Sequence, residues 1–371
     1  MKSSGPKVLL LAKGYLPDDG GIERYSREMA QAYASLGCQT YVLTQHSGRV
    51  GVSQDGDVTV ENVGQMGGQP GIFVRMFSRL YALQHRRKFD FVHATTWRTA
   101  APAFALFLRA PIAITVHGRE VLVVPRYLRP IMRYFLGRAS LVAAVSPTTE
   151  RLARRAAPGA RNLWVVVWNG LSFPGGEKTY EASDGALCIY TFCRLVERKN
   201  VGNALRAVAD LARRGHNKFR YVIAGDGPLR SELMRLADSL GLEERVTFLG
   251  RIADEAVPTL YSEADVFLHP QIAAENGADV EGFGLTIADA MSFGAVAIVG
   301  AEGGPADFIK NGETGLIVDG RSPVAIANAL ERLLVDKELL QTLSCGGRQW
   351  VLTNLSWRES SKKILNAIKT S

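Results

Sequence analysis

Eleven short apolar runs punctuate the 371 residues, and turns and segments of helical spacing separate them. Five come early: "KVLLLA" (7–12), "TYVLTQ" (40–45), "FDFVHAT" (89–95), "PIAITVHG" (111–118) and "SLVAAVS" (140–146). The pattern restarts after Asn169 with "ALCIYTFCRL" (186–195), "RYVIAGDG" (220–227), "RVTFLGRI" (245–252), "ADVFLHPQ" (264–271), "AVAIVGAEGG" (295–304) and "TGLIVDG" (314–320). Runs this short and this apolar predict strands buried on both faces. Strands that alternate with helices predict a parallel sheet. The chain is thus an α/β protein built twice.

Between the two series lies "WNGLSFPGGEKTYEASDG" (168–185), rich in Gly, Ser and Pro. This places two Rossmann-like domains at 1–170 and 186–352, with 171–185 as linker and a last helix at 353–371. In open α/β sheets, ligands bind beyond the carboxyl ends of the strands, so two such sheets predict a central cleft between domains.

Charge divides unevenly. Residues 1–170 carry 22 Lys and Arg against 10 Asp and Glu, while residues 171–371 carry 22 against 26. A basic first half points to an anionic partner. The chain has no nucleic-acid recognition motif, so nucleic acid is not that partner. No apolar stretch reaches the roughly 18 residues of a membrane span, and "KVLLLAKGY" reads as a first strand rather than a leader. The four cysteines, Cys38, Cys188, Cys193 and Cys345, follow no metal spacing and predict buried free thiols. "DGD" (55–57) lies between hairpin-like segments and reads as a turn, so no bound metal or cofactor is expected.

Several motifs carry chemistry. Gly20 and Gly21 end the first strand's loop and open a helix, where backbone can approach an anion. Arg194 and Lys199 lie just past a strand end and suit a diphosphate, although a solvated basic turn explains them as simply. "GDG" around Gly225 lacks the third glycine of a dinucleotide fingerprint, which disfavours a dehydrogenase. His117 ends a strand, where a structural role is the commoner one. The densest stretch is "DVEGFGLTIADA" (279–290). Glycines 282 and 284 let the chain wrap a ligand, and the helix from Leu285 points its amino terminus at a phosphate. Glu281 precedes that helix and Asp289 lies about a turn inside it. They would reach different parts of one elongated ligand rather than form a hydrolytic pair.

In this order and spacing, the motifs resemble those of the retaining glycosyltransferases of family 4, which have the GT-B fold, over nearly the whole chain. The resemblance implies transfer of a hexose-type sugar from a GDP- or UDP-linked donor to a glycan or lipid-linked glycan, without a metal, in bacterial surface polysaccharide assembly. It implies catalytic roles for Glu281 and His117, both at the sugar. Arg194, Lys199, Gly21, Gly284 and Leu285 would hold the diphosphate, and Asp289, Arg251, Ile252 and Gly225 the nucleoside. The last helix would cross back to the first domain. One departure stands out: the family's second acid is usually Glu, and here it is Asp289. A sugar-nucleotide epimerase of the same fold and a non-catalytic nucleotide-sugar binder are the competing readings.

Two basic amphipathic segments, 71–88 and 125–138, fit either outer helices of the domain or contact with an anionic membrane. In the first, Ile72, Phe73, Met76, Phe77 and Leu80 oppose Arg75, Arg79 and Arg86. In the second, Leu128, Ile131, Met132 and Phe135 oppose Arg126, Arg129 and Arg133. The half-chain charge favours a cytoplasmic protein held peripherally at the inner face of the membrane.

Overall fold

A computed structural model describes residues 5–18, 20–175 and 186–370. The chain divides into two compact units, residues 1–170 with 355–371, and residues 171–354. Within the described residues the first unit holds β1 (Lys7–Leu11), β2 (Gln39–Thr44), β3 (Gly51–Asp55), β4 (Val58–Asn62), β5 (Phe91–Ala94), β6 (Ile112–Val116), β7 (Leu141–Ala144) and β8 (Leu163–Val166). They form one sheet in the order β3-β4-β2-β1-β5-β6-β7-β8, parallel except for the β3–β4 hairpin at one edge.

The alternation of side chains along each strand sorts the core into two layers. Leu9 and Leu11 join Leu43, Val92, Ile114 and Val142 on one face. Leu10 joins Val42, Val58 and Val60 on the other. The five early runs all appear as strands. The hairpin turns at Gly56–Asp57, as "DGD" predicts, but its exposed first strand has no apolar run to announce it. β8 was missed for a related reason, since Leu163 is exposed and only Trp164 is fully buried.

The second unit holds β9 (Leu187–Phe192), β10 (Phe219–Ala224), β11 (Val246–Gly250), β12 (Val266–His269), β13 (Val296–Gly300) and β14 (Leu316–Val318), all parallel, in the order β11-β10-β9-β12-β13-β14. Leu187, Ile189, Tyr221, Ile223, Leu268 and Ile298 form its main core with the helices Val201–Arg213 and Pro323–Val335. Three of the four thiols are buried, but Cys345 is exposed on the outer side of the helix Lys337–Asn354, which corrects the expectation of four buried thiols.

The helix Trp357–Lys369 belongs to the first unit and packs on the helix Gly21–Ser35. Tyr25 meets Trp357 edge to face at 5.6 Å, and Ser360 Oγ donates to the carbonyl of Trp168 at 2.5 Å. Most of the expected linker, residues 176–185, lies outside the described residues. No helix among the described residues is long and apolar enough to cross a membrane.

A buried polar chain ties the helix Gly21–Ser35 to this sheet. Tyr33 Oη lies 3.0 Å from His93 Nδ1, His93 Nε2 lies 2.7 Å from Thr115 Oγ1, and Tyr25 Oη lies 2.8 Å from the same hydroxyl. Buried polar groups need such partners. Burial, aided by the neighbouring His117, lowers the His93 pKa to about 3. An unfolded histidine titrates near 6.5. Above about pH 6.5 both states are neutral, and the folded state keeps its full stability. As pH falls from about 6.5 toward 3, only the unfolded state takes up the proton, so stability drops by about 1.4 kcal/mol per pH unit. Urea unfolding between pH 7.5 and 5 should show this decline, and a His93→Gln variant should lose one proton's share of the slope.

Candidate functional site

Parallel pairing brings the carboxyl ends of β9, β12 and β13 to one edge of the second sheet, and the charged groups gather there. Lys199, buried in the turn after β9, places Nζ 2.5 Å from Glu281 Oε2. Arg198 lies 3.4 Å from the same carboxylate through Nε and 3.7 Å from Asp279 through Nη1. The turn is held from below. Asn200, in the left-handed region at φ 57°, donates through Nδ2 to the carbonyls of Pro270 and Gly320. Ile272 N–H donates to the Arg198 carbonyl at 2.9 Å.

Glu281 is fixed through its backbone as well, since the N–H of Gly304 donates to its carbonyl at 2.8 Å. Burial works to raise its pKa, but Lys199 and then Arg198 outweigh burial and hold it at about 2. A carboxylate so paired stays ionised and accepts hydrogen bonds. It is poorly suited to act as a general acid.

Gly284 caps the helix Leu285–Ser292 at φ 89°. A Cβ there would lie 2.7 Å from Ile287 Cδ1, so both conformation and space demand glycine. The helix therefore starts immediately after the Glu281 loop, and its amino-terminal end, with Leu285 and Thr286 partly exposed, carries the positive end of the helix dipole.

Asp289 lies on this helix, but one of its oxygens serves a role that the sequence did not announce. Oδ1 accepts the backbone N–H of Ser172 at 2.8 Å and of Phe173 at 3.3 Å. Ser292 Oγ adds a bond to the Phe173 carbonyl and accepts from Gly175 N–H. The segment 172–175 is thereby laid along the helix. Asp289, read from the sequence as a nucleoside ligand, thus also anchors backbone in its own unit through Oδ1.

Of the two cations predicted for a diphosphate, only Lys199 stands at Glu281. The Arg194 side chain is exposed and makes no hydrogen bond or ion pair among the described residues, while its carbonyl accepts the Val196 N–H at 2.9 Å. Arg198, which the sequence reading passed over, takes the second place beside the acid. The adjacent "ERK" triplet was the available signal, since a turn can direct two neighbouring cations to one carboxylate. Gly225 lies at φ 117° with a Cβ position 1.9 Å from the Cys193 carbonyl, and its N–H is taken by Gly250 at 2.7 Å. Its glycine identity follows from close packing of β9 and β10, and its amide is not free for a nucleoside. Arg251 is exposed and Ile252 half-buried beyond the end of β11.

His117 and Gly21 belong to the first unit. Gly21 opens its helix with open space where a Cβ would lie. His117 ends β6, stacks edge to face on Tyr25 at 4.8 Å, and sets Nε2 3.0 Å from the Thr95 carbonyl. A carbonyl only accepts, so Nε2 carries the proton and the neutral ring leaves Nδ1 as an acceptor. Burial lowers its pKa, while Glu120 pulls the other way. That tautomer suits a hydroxyl donor such as a sugar. Among the described residues no cluster of His, Cys, Asp and Glu is placed to hold a metal ion.

The model for Glycosyltransferase Family 4 matches residues 19–172, and that for Glycosyl transferases group 1 matches residues 178–350. The chain is 27% identical over 391 residues to a GDP-mannose-dependent alpha-(1-6)-phosphatidylinositol monomannoside mannosyltransferase of Mycobacterium tuberculosis, covering 98% of each chain. Its fold is similar to that of sucrose-phosphate synthase from Thermosynechococcus elongatus, with a TM-score of 0.81 at 20% identity over 99% of this chain and 98% of the other. It is similar as well to Anabaena HepE in complex with UDP and glucose, with a TM-score of 0.76 at 20% identity over 99% and 100%. With both halves matched in turn, the chain belongs to the family 4, group 1 glycosyltransferases of GT-B fold, and it is a transferase.

Proposed function

We propose that this glycosyltransferase moves a hexose from a nucleotide sugar to a hydroxyl of a glycan or lipid-linked glycan with retention of configuration and without a metal, in surface polysaccharide assembly. GDP-mannose is the first-choice donor, because the relative matched end to end is named GDP-mannose-dependent. UDP-sugars are the alternative.

One observation carries the reading: the buried Lys199–Glu281 pair lies directly before a glycine-capped helix. As the bond from the anomeric carbon to the phosphate breaks, its electron pair goes to the diphosphate. Lys199, Arg194 and the helix amino terminus would stabilise that charge. The acceptor oxygen bonds to the anomeric carbon on the face the phosphate leaves, and its proton passes to a phosphate oxygen. The ionised, doubly paired Glu281 supports this front-face route over a covalent one, since two cations blunt a carboxylate nucleophile. His117 Nδ1 would accept from a sugar hydroxyl.

Of the two basic segments, one is less available for the proposed membrane contact than the other. Arg75 is spent on the carbonyls of Val63, Gly64 and Met66, and Arg79 on Glu61, so the basic face of the helix Gly68–Arg86 is largely committed within the protein. Around the helix Arg129–Arg138, Arg129 and Arg133 also donate to carbonyls, those of Val124 and Ala156, but Arg126 and Arg138 stay exposed beside Tyr127, Ile131 and Tyr134, which are 77%, 44% and 55% exposed. Exposed aromatic and aliphatic groups flanked by arginines fit an anionic lipid surface, which suits a lipid-linked acceptor.

Four experiments test this reading. In a thermal-shift panel, GDP and GDP-mannose should raise the melting temperature more than UDP or ADP conjugates, with EDTA making no difference. Lys199→Met should lower kcat by about 10²-fold or more. For Asp289, replacement by Asn keeps an acceptor for the Ser172 amide and should preserve folding while weakening nucleoside diphosphate binding. Replacement by Ala should also destabilise the chain by about 1–3 kcal/mol. Equal nucleotide affinity in the Asn variant and the wild type would leave Asp289 a purely structural role. Finally, the chain should co-sediment with anionic liposomes at low salt, and Ile131→Ser with Tyr134→Ser should weaken that binding. Failure of the wild type to co-sediment removes the membrane from the reading.

A further inference from the structure

Lys199 touches a second buried group besides Glu281. His269, at the end of β12 and fully buried, sets Nε2 3.3 Å from Lys199 Nζ. Its Nδ1 lies 3.0 Å from Oε1 of Gln271, which is itself fully buried. The amide orientation of Gln271 is determined by its other partners. Nε2 reaches the carbonyls of Gly300 at 2.7 Å and Glu302 at 3.1 Å, and these can only accept. Oε1 accepts the Gly300 N–H at 3.3 Å. A flipped amide would set oxygen against two carbonyls and NH2 against an N–H.

With Oε1 facing Nδ1, the imidazole proton must lie on Nδ1, and the neutral ring turns the Nε2 lone pair toward Lys199. An imidazolium there would direct an N–H at the ammonium. Burial first, then the Lys199 charge, lowers the His269 pKa to about 4, consistent with a neutral ring. A lysine ammonium has three N–H bonds. Glu281 takes one and His269 a second, which fixes the direction of the third.

We propose that His269, oriented by Gln271 against the β13 backbone, is a positioning residue that steers Lys199 so that its remaining N–H meets the leaving diphosphate. The inference rests on the donor-site reading above. Without the Nε2 acceptor, Lys199 can swing fully onto Glu281, and the diphosphate loses a directed, charge-assisted hydrogen bond.

The test is calorimetric binding of GDP and GMP, with UDP and UMP alongside, to the intact chain and three variants. Wild type should prefer a diphosphate to its monophosphate. His269→Leu should reduce that preference by about tenfold, with monophosphate binding unchanged. His269→Gln, whose amide oxygen reaches the position of Nε2, should restore most of it. His269→Asn is too short to reach Lys199, should behave like the Leu variant, and is the variant to read if the Leu variant does not fold. A merely structural histidine would weaken both nucleotides together. Undiminished diphosphate preference in the Leu or Asn variant overturns the positioning role alone. A wild type that binds neither diphosphate better than its monophosphate overturns the donor-site reading itself.

Discussion

A parallel sheet sends the carboxyl end of every strand to the same edge, and the second unit depends on that geometry. β9 delivers Lys199, β12 delivers His269 and Gln271, and β13 ends at Gly300, whose carbonyl and amide meet Gln271. These residues lie 70 or more positions apart in sequence across the first two strands, yet they meet with bond-length spacing. An antiparallel arrangement of the same strands would scatter them to opposite ends. The chemistry of the site therefore follows from pairing direction before any side chain is considered.

Charge within that edge is balanced locally. Glu281 and Asp279 face Arg198 and Lys199, so the buried charges are paired before any ligand arrives. Removing one partner of such a buried pair leaves an uncompensated charge and is strongly destabilising. This couples the integrity of the loop 279–284 to the turn after β9. In the first unit, the buried chain from Tyr33 through His93 and Thr115 to Tyr25 consists instead of neutral groups.

What was legible in the sequence tracks how local each signal is. All eleven apolar runs became strands, most of them buried on both faces, where a strand needs nothing but its own apolar residues to be recognised. The edge strand β11, with Thr247 and Leu249 exposed, was recognised by its apolar run alone. The helix start at Leu285 was legible as well, whereas Gly284, read as a glycine that lets the chain wrap a ligand, proved also to be its left-handed cap. The anchoring of Ser172 and Phe173 by Asp289 was not, because donor and acceptor are more than 100 residues apart and backbone amides leave no trace in composition. Arg198 was overlooked because a run of charges in a turn reads as solvated until the turn's path is known. His269 looked like one more apolar-run residue. Only Gln271, oriented in turn by Gly300 and Glu302, reveals its tautomer. The basic faces of the two amphipathic segments were visible in the sequence, whereas the carbonyls that occupy Arg75 were not.

The helix Trp357–Lys369 completes the first unit although it is encoded after the whole of the second. The helix Gly21–Ser35 waits for it, with Tyr25 lacking its Trp357 neighbour until then. The second unit is contiguous in sequence, whereas the first draws its last helix from beyond it. A chain shortened by its final seventeen residues, 355–371, would harm the unit at the opposite end of the sequence rather than the one beside the cut.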